Sequence, residues 1–280
     1  MTLESASAPE DRSIHTAAIT ATRRALTRAD GRSPLWIEVA VALWLFWLYD
    51  IINDLAPLRR ALAFHNATAI FNFEHSLGIS PELALDHWVG SHAVLTTLTS
   101  YYYVLAHFAV TFGLLVYLWW CRRSLYRSLR TQLVIINLIG MFIFWQFPVA
   151  PPRMLVSHGF RDIIGLSHII GFQSGALASA ADQYAAMPSL HIAWAIWCAQ
   201  VIWRTQSRCH LRVLAVIYPF LTAFVVLSTG NHFLVDALAG AFVAGLAIGI
   251  ERALARWLQP HWHRHHGHLF EGKSAHIIGH

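Results

Sequence analysis

Charge is scarce in this chain of 280 residues. Acidic and basic side chains make up 12% of it and hydrophobic residues 56%, whereas soluble domains carry about 25% charge. That balance excludes an ordinary soluble domain and points to the bilayer. Cysteine is scarce as well. Cys121, Cys198 and Cys209 are odd in number and lack metal-ligand spacing, which argues against a disulfide framework or a zinc knuckle; they read as ordinary span-end residues. The first 33 residues contain no apolar run, so no cleavable signal is expected and the first span should persist in the mature chain. Basic residues interleaved with aromatics are missing too, so the net charge of +5 does not indicate nucleic acid. No repeat of solenoid type is present.

What the chain has is long apolar runs. Stretches near 34–53, 92–120, 131–147, 188–203, 211–229 and 233–257 are bounded by charge or proline and approach the roughly 20 residues needed to cross a hydrocarbon core. The expected fold is therefore an all-α integral membrane protein with six transmembrane helices. It comprises a polar N-terminal segment 1–33, a catalytic membrane domain 34–257 and a His-rich tail 258–280. Lys and Arg collect on cytoplasmic flanks. With six spans, sixteen of the twenty basic residues fall on one side, and only Arg59, Arg60, Arg153 and Arg161 on the other. Both termini are then cytoplasmic. Two sizeable outer segments follow, 54–91 and 148–187, and the Ser80-Pro81 helix start in the first predicts one or two interfacial helices. The tail histidines His261, His263, His265, His266 and His268 could bind metal, but they fall on the opposite side and read as a solvated or headgroup-binding tail.

Three polar clusters interrupt the apolar background, "FPVAPPRM" at 147–154, "MPSLH" at 187–191 and "STGNHFLVD" at 228–236. Each falls at the outer end of a span, so topology brings them to one depth. His232 and Asp236 are one helical turn apart. A carboxylate there can take the Nδ1 proton and leave Nε2 as a nucleophile or base; a polar packing pair or two metal ligands are the alternatives. Ionisable groups at membrane depth favour the chemical reading. Pro188 and Ser189 suit a helix start whose free N–H groups and dipole attract phosphate, with His191 placed to handle a proton. The alternative is a capped helix start with a wet histidine. Arg153 offers phosphate a planar fork of donors, or else snorkels to headgroups. Arg161 is a weaker second cation.

The order Arg, Pro-Ser-x-His, His-x-x-x-Asp resembles the type 2 phosphatidic acid phosphatase superfamily over roughly residues 70–245. Its usual motifs are Lys, six residues, Arg-Pro; Pro-Ser-Gly-His; and Ser-Arg, five residues, His, three residues, Asp. Here "APPRM" keeps Arg153, but Gln146 stands seven residues before it where the lysine would be. Leu190 replaces the glycine, and Val225 and Val226 occupy the Ser-Arg positions. Pro-Ser-Leu-His, Asn-His-x-x-x-Asp and Pro-x-x-Pro-Pro-Arg are more similar to the inositol phosphorylceramide synthase branch.

The resemblance implies a phosphohistidine on His232, oriented by Asp236, with His191 protonating the leaving group. Arg153, Ser189 and nearby N–H groups would stabilise the phosphoryl oxygens, and Asn231 would partly replace the missing arginine. The expected activity is a metal-independent, cofactor-free lipid phosphotransferase, moving a phosphoryl-containing group from a phospholipid-type donor to an alcohol such as inositol or a lipid alcohol. A phosphatase of lipid phosphates or polyprenyl diphosphates, and a non-catalytic lipid-binding or transport component, are the alternatives. Tyr101, Tyr102, Tyr103 and His107 line either a substrate pocket or an aromatic belt. The expected place is the plasma membrane, with the site at the extracytoplasmic face. The sequence leaves the lipid and the oligomeric state open.

Overall fold

The computed structural model describes residues 34–55, 59–167 and 184–258. Among them no strand forms, and one isolated parallel bridge joins Val149 to Ala185. Helices α1 (Leu35–Leu55), α2 (Arg60–Ser76) and α3 (Pro81–Gly90) come first. Helix α4 (Ala93–Tyr101) runs through a π-turn at Tyr102–Ala106 into α5 (His107–Cys121). Then follow α6 (Arg123–Gln146), the single turn α7 (Ile163–Leu166), α8 (Leu190–Thr205), α9 (Cys209–Ser228) and α10 (Leu234–Leu258). The polar segment 1–33 and the His-rich tail beyond Leu258 lie outside the described residues.

Four stretches are long and apolar enough to cross a bilayer: Ala93–Cys121, Arg123–Gln146, Cys209–Ser228 and Leu234–Trp257. The other two expected spans are helical but shorter in their apolar part. In α1 that part is Leu35–Tyr49. Helix α8 has 16 residues, or about 24 Å at 1.5 Å per residue, against a hydrocarbon core of about 30 Å. A physical reason is its position. It packs against α5, α6, α9 and α10, and a helix surrounded by other helices need not match the lipid. Helix α6 begins at Arg123 rather than near 131, because its arginines ended the apolar run without ending the helix.

Trp197 of α8 is 1% exposed and donates its indole N–H to the Leu129 carbonyl of α6 at 2.9 Å. Around it lie Leu118, Leu133, Ile136, Val201, Val243 and Ala247. Large apolar side chains also face outward, among them Trp44, Trp47, Phe112, Phe142, Phe220 and Phe242. A contiguous apolar exterior of this extent is untenable in water and expected against lipid tails. The chain is thus an integral membrane protein built from apolar helices.

Helices α2 and α3 form in the segment where one or two were expected. Helix α3 starts at Pro81, yet the Ser80 hydroxyl makes no capping bond. Cys198 is a correction. It is fully buried in mid-helix, 3.4 Å from the Thr111 hydroxyl, whereas Cys121 and Cys209 are exposed at helix ends. At the end of the bundle away from the three motifs, Arg122 reaches the Thr205 carbonyl and Gln206 donates to the Tyr117 hydroxyl. The α5–α6 and α8–α9 junctions meet there.

Candidate active site

Backbone hydrogen bonds tie the three motifs together at the other end. Val149 N–H donates to Tyr184 O at 2.8 Å and Ala186 N–H to Val149 O at 3.1 Å, joining "FPVAPPRM" to the approach of "MPSLH". Arg153 N–H donates to Gly230 O at 2.7 Å, and Ser189 N–H to Asp236 O at 2.9 Å. The motif segments therefore satisfy one another's main-chain groups, as buried polar backbone must. Helix α2 supports the assembly from behind, where Asn66 donates to Pro148 O and Ala150 N–H to Ala63 O.

His232 lies in the loop before α10, so its spacing to Asp236 is not the helical turn expected from sequence. Its Nδ1 is 2.8 Å from the Ala186 carbonyl oxygen and 3.7 Å from Asp236 Oδ2. A carbonyl only accepts, so Nδ1 carries the proton and Nε2 keeps a lone pair. Asp236 Oδ2 in turn accepts the Phe233 N–H at 2.8 Å. The carboxylate thus holds the loop's entry into α10 while staying close to the imidazole. Both residues are buried, at 4% and 0% exposure.

The His191 ring stands in the first turn of α8, 5.5 Å from that of His232. Tyr103 stacks on it at 4.5 Å and the His107 ring lies 4.2 Å away. The π-turn supplies both neighbours. It widens the helix between Tyr102 and Ala106, a distortion frequent at functional sites, and His107 Nδ1 donates to the Tyr103 carbonyl at 2.9 Å. Tyr102 points elsewhere, bonding Thr222 of α9 at 2.9 Å, so it acts between helices. Tyr101 is exposed on the outer surface.

Ser189 is the N-cap of α8, accepting from Ile192 N–H at 3.5 Å, and it is fully buried. Arg153 donates to the Asn231 side-chain oxygen, and Asn231 is itself fixed by donating to Thr229 Oγ1 at 2.8 Å. Asn231 therefore aims the guanidinium rather than standing in for a second one. Arg161 is not part of this group. It is exposed, its side chain lies by Gly90, and its N–H donates to Asp86 at 3.1 Å.

Sequence reasoning missed the Ala186 carbonyl, which no side-chain pattern can reveal, and the buried carboxylates Glu74, Glu82 and Asp86, each 0% exposed. Three acids within residues 74–86 of a chain with only 15 acids were the available signal. Burial pushes Glu82 up to about 8, with the neighbouring Glu74 and Asp236 charges adding to it. Burial raises Asp86 to about 6 against the lowering effect of the Arg161 N–H.

A curated relative, phosphoinositol dihydroceramide synthase from Bacteroides thetaiotaomicron, is 24% identical over 248 residues, covering 79% of this chain and 76% of its own. The crystal structure of LpxE from Aquifex aeolicus matches with a TM-score of 0.42 and 19% identity, covering 61% of this chain and 94% of that one. Residues 68–250, which contain all three motifs, match the PAP2 superfamily, whose members are enzymes acting on lipid phosphates. The chain belongs to the PAP2 superfamily.

Proposed function

We propose that the chain is a membrane lipid phosphotransferase that works through a phosphohistidine on His232 and moves a phosphoinositol-type group from a phospholipid donor to a lipid alcohol. The observation that carries the reading is the bond from His232 Nδ1 to the Ala186 carbonyl, which leaves Nε2 free to attack with His191 alongside. The name of the Bacteroides relative joins a phosphoinositol group to a dihydroceramide and supports this donor and acceptor class.

In the first half-reaction, His232 Nε2 bonds to phosphorus as the bond from phosphorus to the glyceride oxygen breaks, and that oxygen takes a proton from His191. The ring retains its Nδ1 proton and becomes cationic, with Asp236 Oδ2 at 3.7 Å to offset the charge. In the second, the acceptor hydroxyl returns a proton to His191, its oxygen bonds to phosphorus and the phosphorus–nitrogen bond breaks. Arg153, aimed by Asn231, and the first-turn N–H groups of α8 would hold the equatorial oxygens. Positioning and preorganised charge supply the catalysis, and the scheme uses no metal.

The proposed topology has six spans including α1 and α8, both termini in the cytoplasm, and the site near the extracytoplasmic face of the plasma membrane. The one-sided distribution of arginines supports it.

The test is turnover by the purified full chain of labelled phosphatidylinositol, with and without dihydroceramide, in buffer stripped of metals. Transfer to the lipid acceptor is expected. Release of inositol phosphate alone would shift the reading to a hydrolase of the lipid phosphodiester, and full turnover by His232→Ala and His191→Ala would end it. A phosphoinositol adduct found on His232 by mass spectrometry after an alkaline denaturing quench excludes a non-catalytic role.

A further inference from the structure

The buried carboxylates of Glu74 and Glu82 are not used by the chemistry above, and the bilayer does not explain them. Glu74 sits on α2 and Glu82 on α3, both 0% exposed. Glu74 Oε1 accepts the Val235 N–H at 2.6 Å. That N–H belongs to the first turn of α10, one residue before Asp236. Such first-turn donors have no partner within their own helix, and this one is satisfied across 161 residues of sequence.

The second oxygen of Glu74 and both oxygens of Glu82 are buried without a donor from any other residue. Two ionised carboxylates cannot hydrogen-bond to each other, because both only accept. One proton between them would make Glu82 the donor and Glu74 the acceptor, and burial, which raises both carboxyls, favours keeping that proton. The pair then carries a single charge and delivers it to the positive end of α10.

We propose that Glu74 is a positioning residue of the phosphoryl-transfer centre: it anchors the first turn of α10 and thereby sets where Asp236 and His232 stand. This rests on the phosphotransfer reading. Its physical content is that an acceptor on the interfacial helices holds Val235 N–H, while Asp236 holds Phe233 N–H and its own carbonyl holds Ser189 N–H. Three successive contacts thus clamp the segment that presents His232. The titratable groups facing the pair are Asp236 on α10 and, beyond it, His232. Loss of the shared proton would put a second buried negative charge beside Asp236.

The experiment uses the full chain in detergent with three variants, Glu74→Leu, Glu74→Gln and Glu82→Gln. It measures kcat and KM for phosphatidylinositol and dihydroceramide from pH 5.5 to 9, and the affinity for orthovanadate as a five-coordinate phosphate mimic. Glu74→Leu is expected to lower kcat at least tenfold with KM changed less than threefold, and to weaken vanadate binding about tenfold. Glu74→Gln keeps an acceptor for Val235 and should recover most of the lost kcat. In Glu82→Gln, which cannot release a proton, the alkaline fall of kcat should move up by at least one pH unit. A role in folding alone would reduce the yield of folded protein without splitting kcat from KM or moving the pH profile. The proposal is overturned if Glu74→Leu stays within twofold of the parent in kcat and vanadate affinity, or if the Glu82→Gln profile superimposes on the parent's. Should Glu74→Leu not fold, the Glu82→Gln profile decides. A parent protein that neither transfers nor binds vanadate sinks the phosphotransfer reading itself, which is a different result.

Discussion

Leu190 fills the space that a side chain on Gly140 would need. A β-carbon added at Gly140 would stand 2.6 Å from Leu190 Cδ2 and 3.2 Å from its Cγ, so the leucine of "PSLH" is a knob set against a bare patch of α6. The residue that departs from the family's usual glycine is therefore a packing residue of α8, and its neighbour on α6 is small to receive it. Gly140→Ala is expected to cost about 1–3 kcal/mol through overpacking. Leu190→Ala is expected to cost about 2–5 kcal/mol through the cavity it leaves. Because the pair shares one space, the double variant should be less destabilised than the sum. Thermal unfolding in detergent checks this, and strictly additive losses would argue against the contact. Acceptor preference should be the same in all three.

A β-carbon on Gly240 would meet the Ser189 carbonyl oxygen at 2.2 Å and its carbon at 3.1 Å. The obstacle is backbone, so no side-chain rotation relieves it. Gly240→Ala should push the start of α8 away from α10, breaking the bond from Ser189 N–H to Asp236 O and separating His191 from His232. Turnover is expected to fall by about 10² or more, the loss typical when a reacting pair is misplaced by about 1 Å, with a larger effect on kcat than on KM. An alanine variant with parental kcat would show that this approach is dispensable.

Asp236→Asn separates the two jobs of that side chain. Its oxygen can still accept the Phe233 N–H, so the loop should stay in place, while the charge 3.7 Å from His232 is lost. Phosphohistidine formation is expected to slow by roughly 10²–10⁴-fold with folding intact. Rapid-quench measurement of the phosphoinositol adduct on His232 reads the effect directly. If the burst rate were unchanged, the carboxylate would be acting through the loop alone.

Stability should depend on pH through the interfacial acids. Burial raises Glu82 from 4.5 to about 8 and Asp86 from 3.8 to about 6, so the folded chain holds protons that the unfolded chain has already released. Stability is then greatest below the unfolded values near pH 4 and declines as pH rises, through about 6 for Asp86 and about 8 for Glu82. Glu82→Gln, which needs no proton, should flatten the decline between pH 6 and 8. Midpoints of thermal unfolding across that range give the test; a parent protein more stable at pH 8 than at pH 6, with a Gln variant to match, would contradict it.

Much of the architecture was legible because lipid imposes a simple rule on composition. Apolar runs announced the helices, and α2 and α3 form in the segment between the first two apolar runs, where one or two helices were expected. Helix ends were less legible. Arg123 begins α6 because arginine is a good helix former, whereas a reading by hydrophobicity stops at charge. The length of α8 was hidden for the converse reason, since packing on all sides removes the lipid constraint that relates an apolar run to a span. At the candidate site, Arg153, His191, His232 and Asp236 could be named from spacing and resemblance. The structure sets His191 beside His232 and Asp236 and holds Arg153 through Asn231 and Gly230, but leaves Arg161 against α3 and turns Tyr102 towards Thr222.

The sequence by itself determined that this is a helical membrane protein, because hydrophobic length is a local property that survives without a fold, and its three motifs carried the resemblance to the PAP2 superfamily. It also determined which ionisable groups lie near helix starts. Only the tertiary structure decided what those groups do to one another. The His232 proton is directed by a main-chain carbonyl from residue 186, Arg153 is aimed by Asn231, and the first turn of α10 is held by a glutamate from α2. Backbone acceptors carry no sequence signature, and a buried acid takes its meaning from the donor it meets. Those assignments come into being when distant segments pack and each polar group must find a partner.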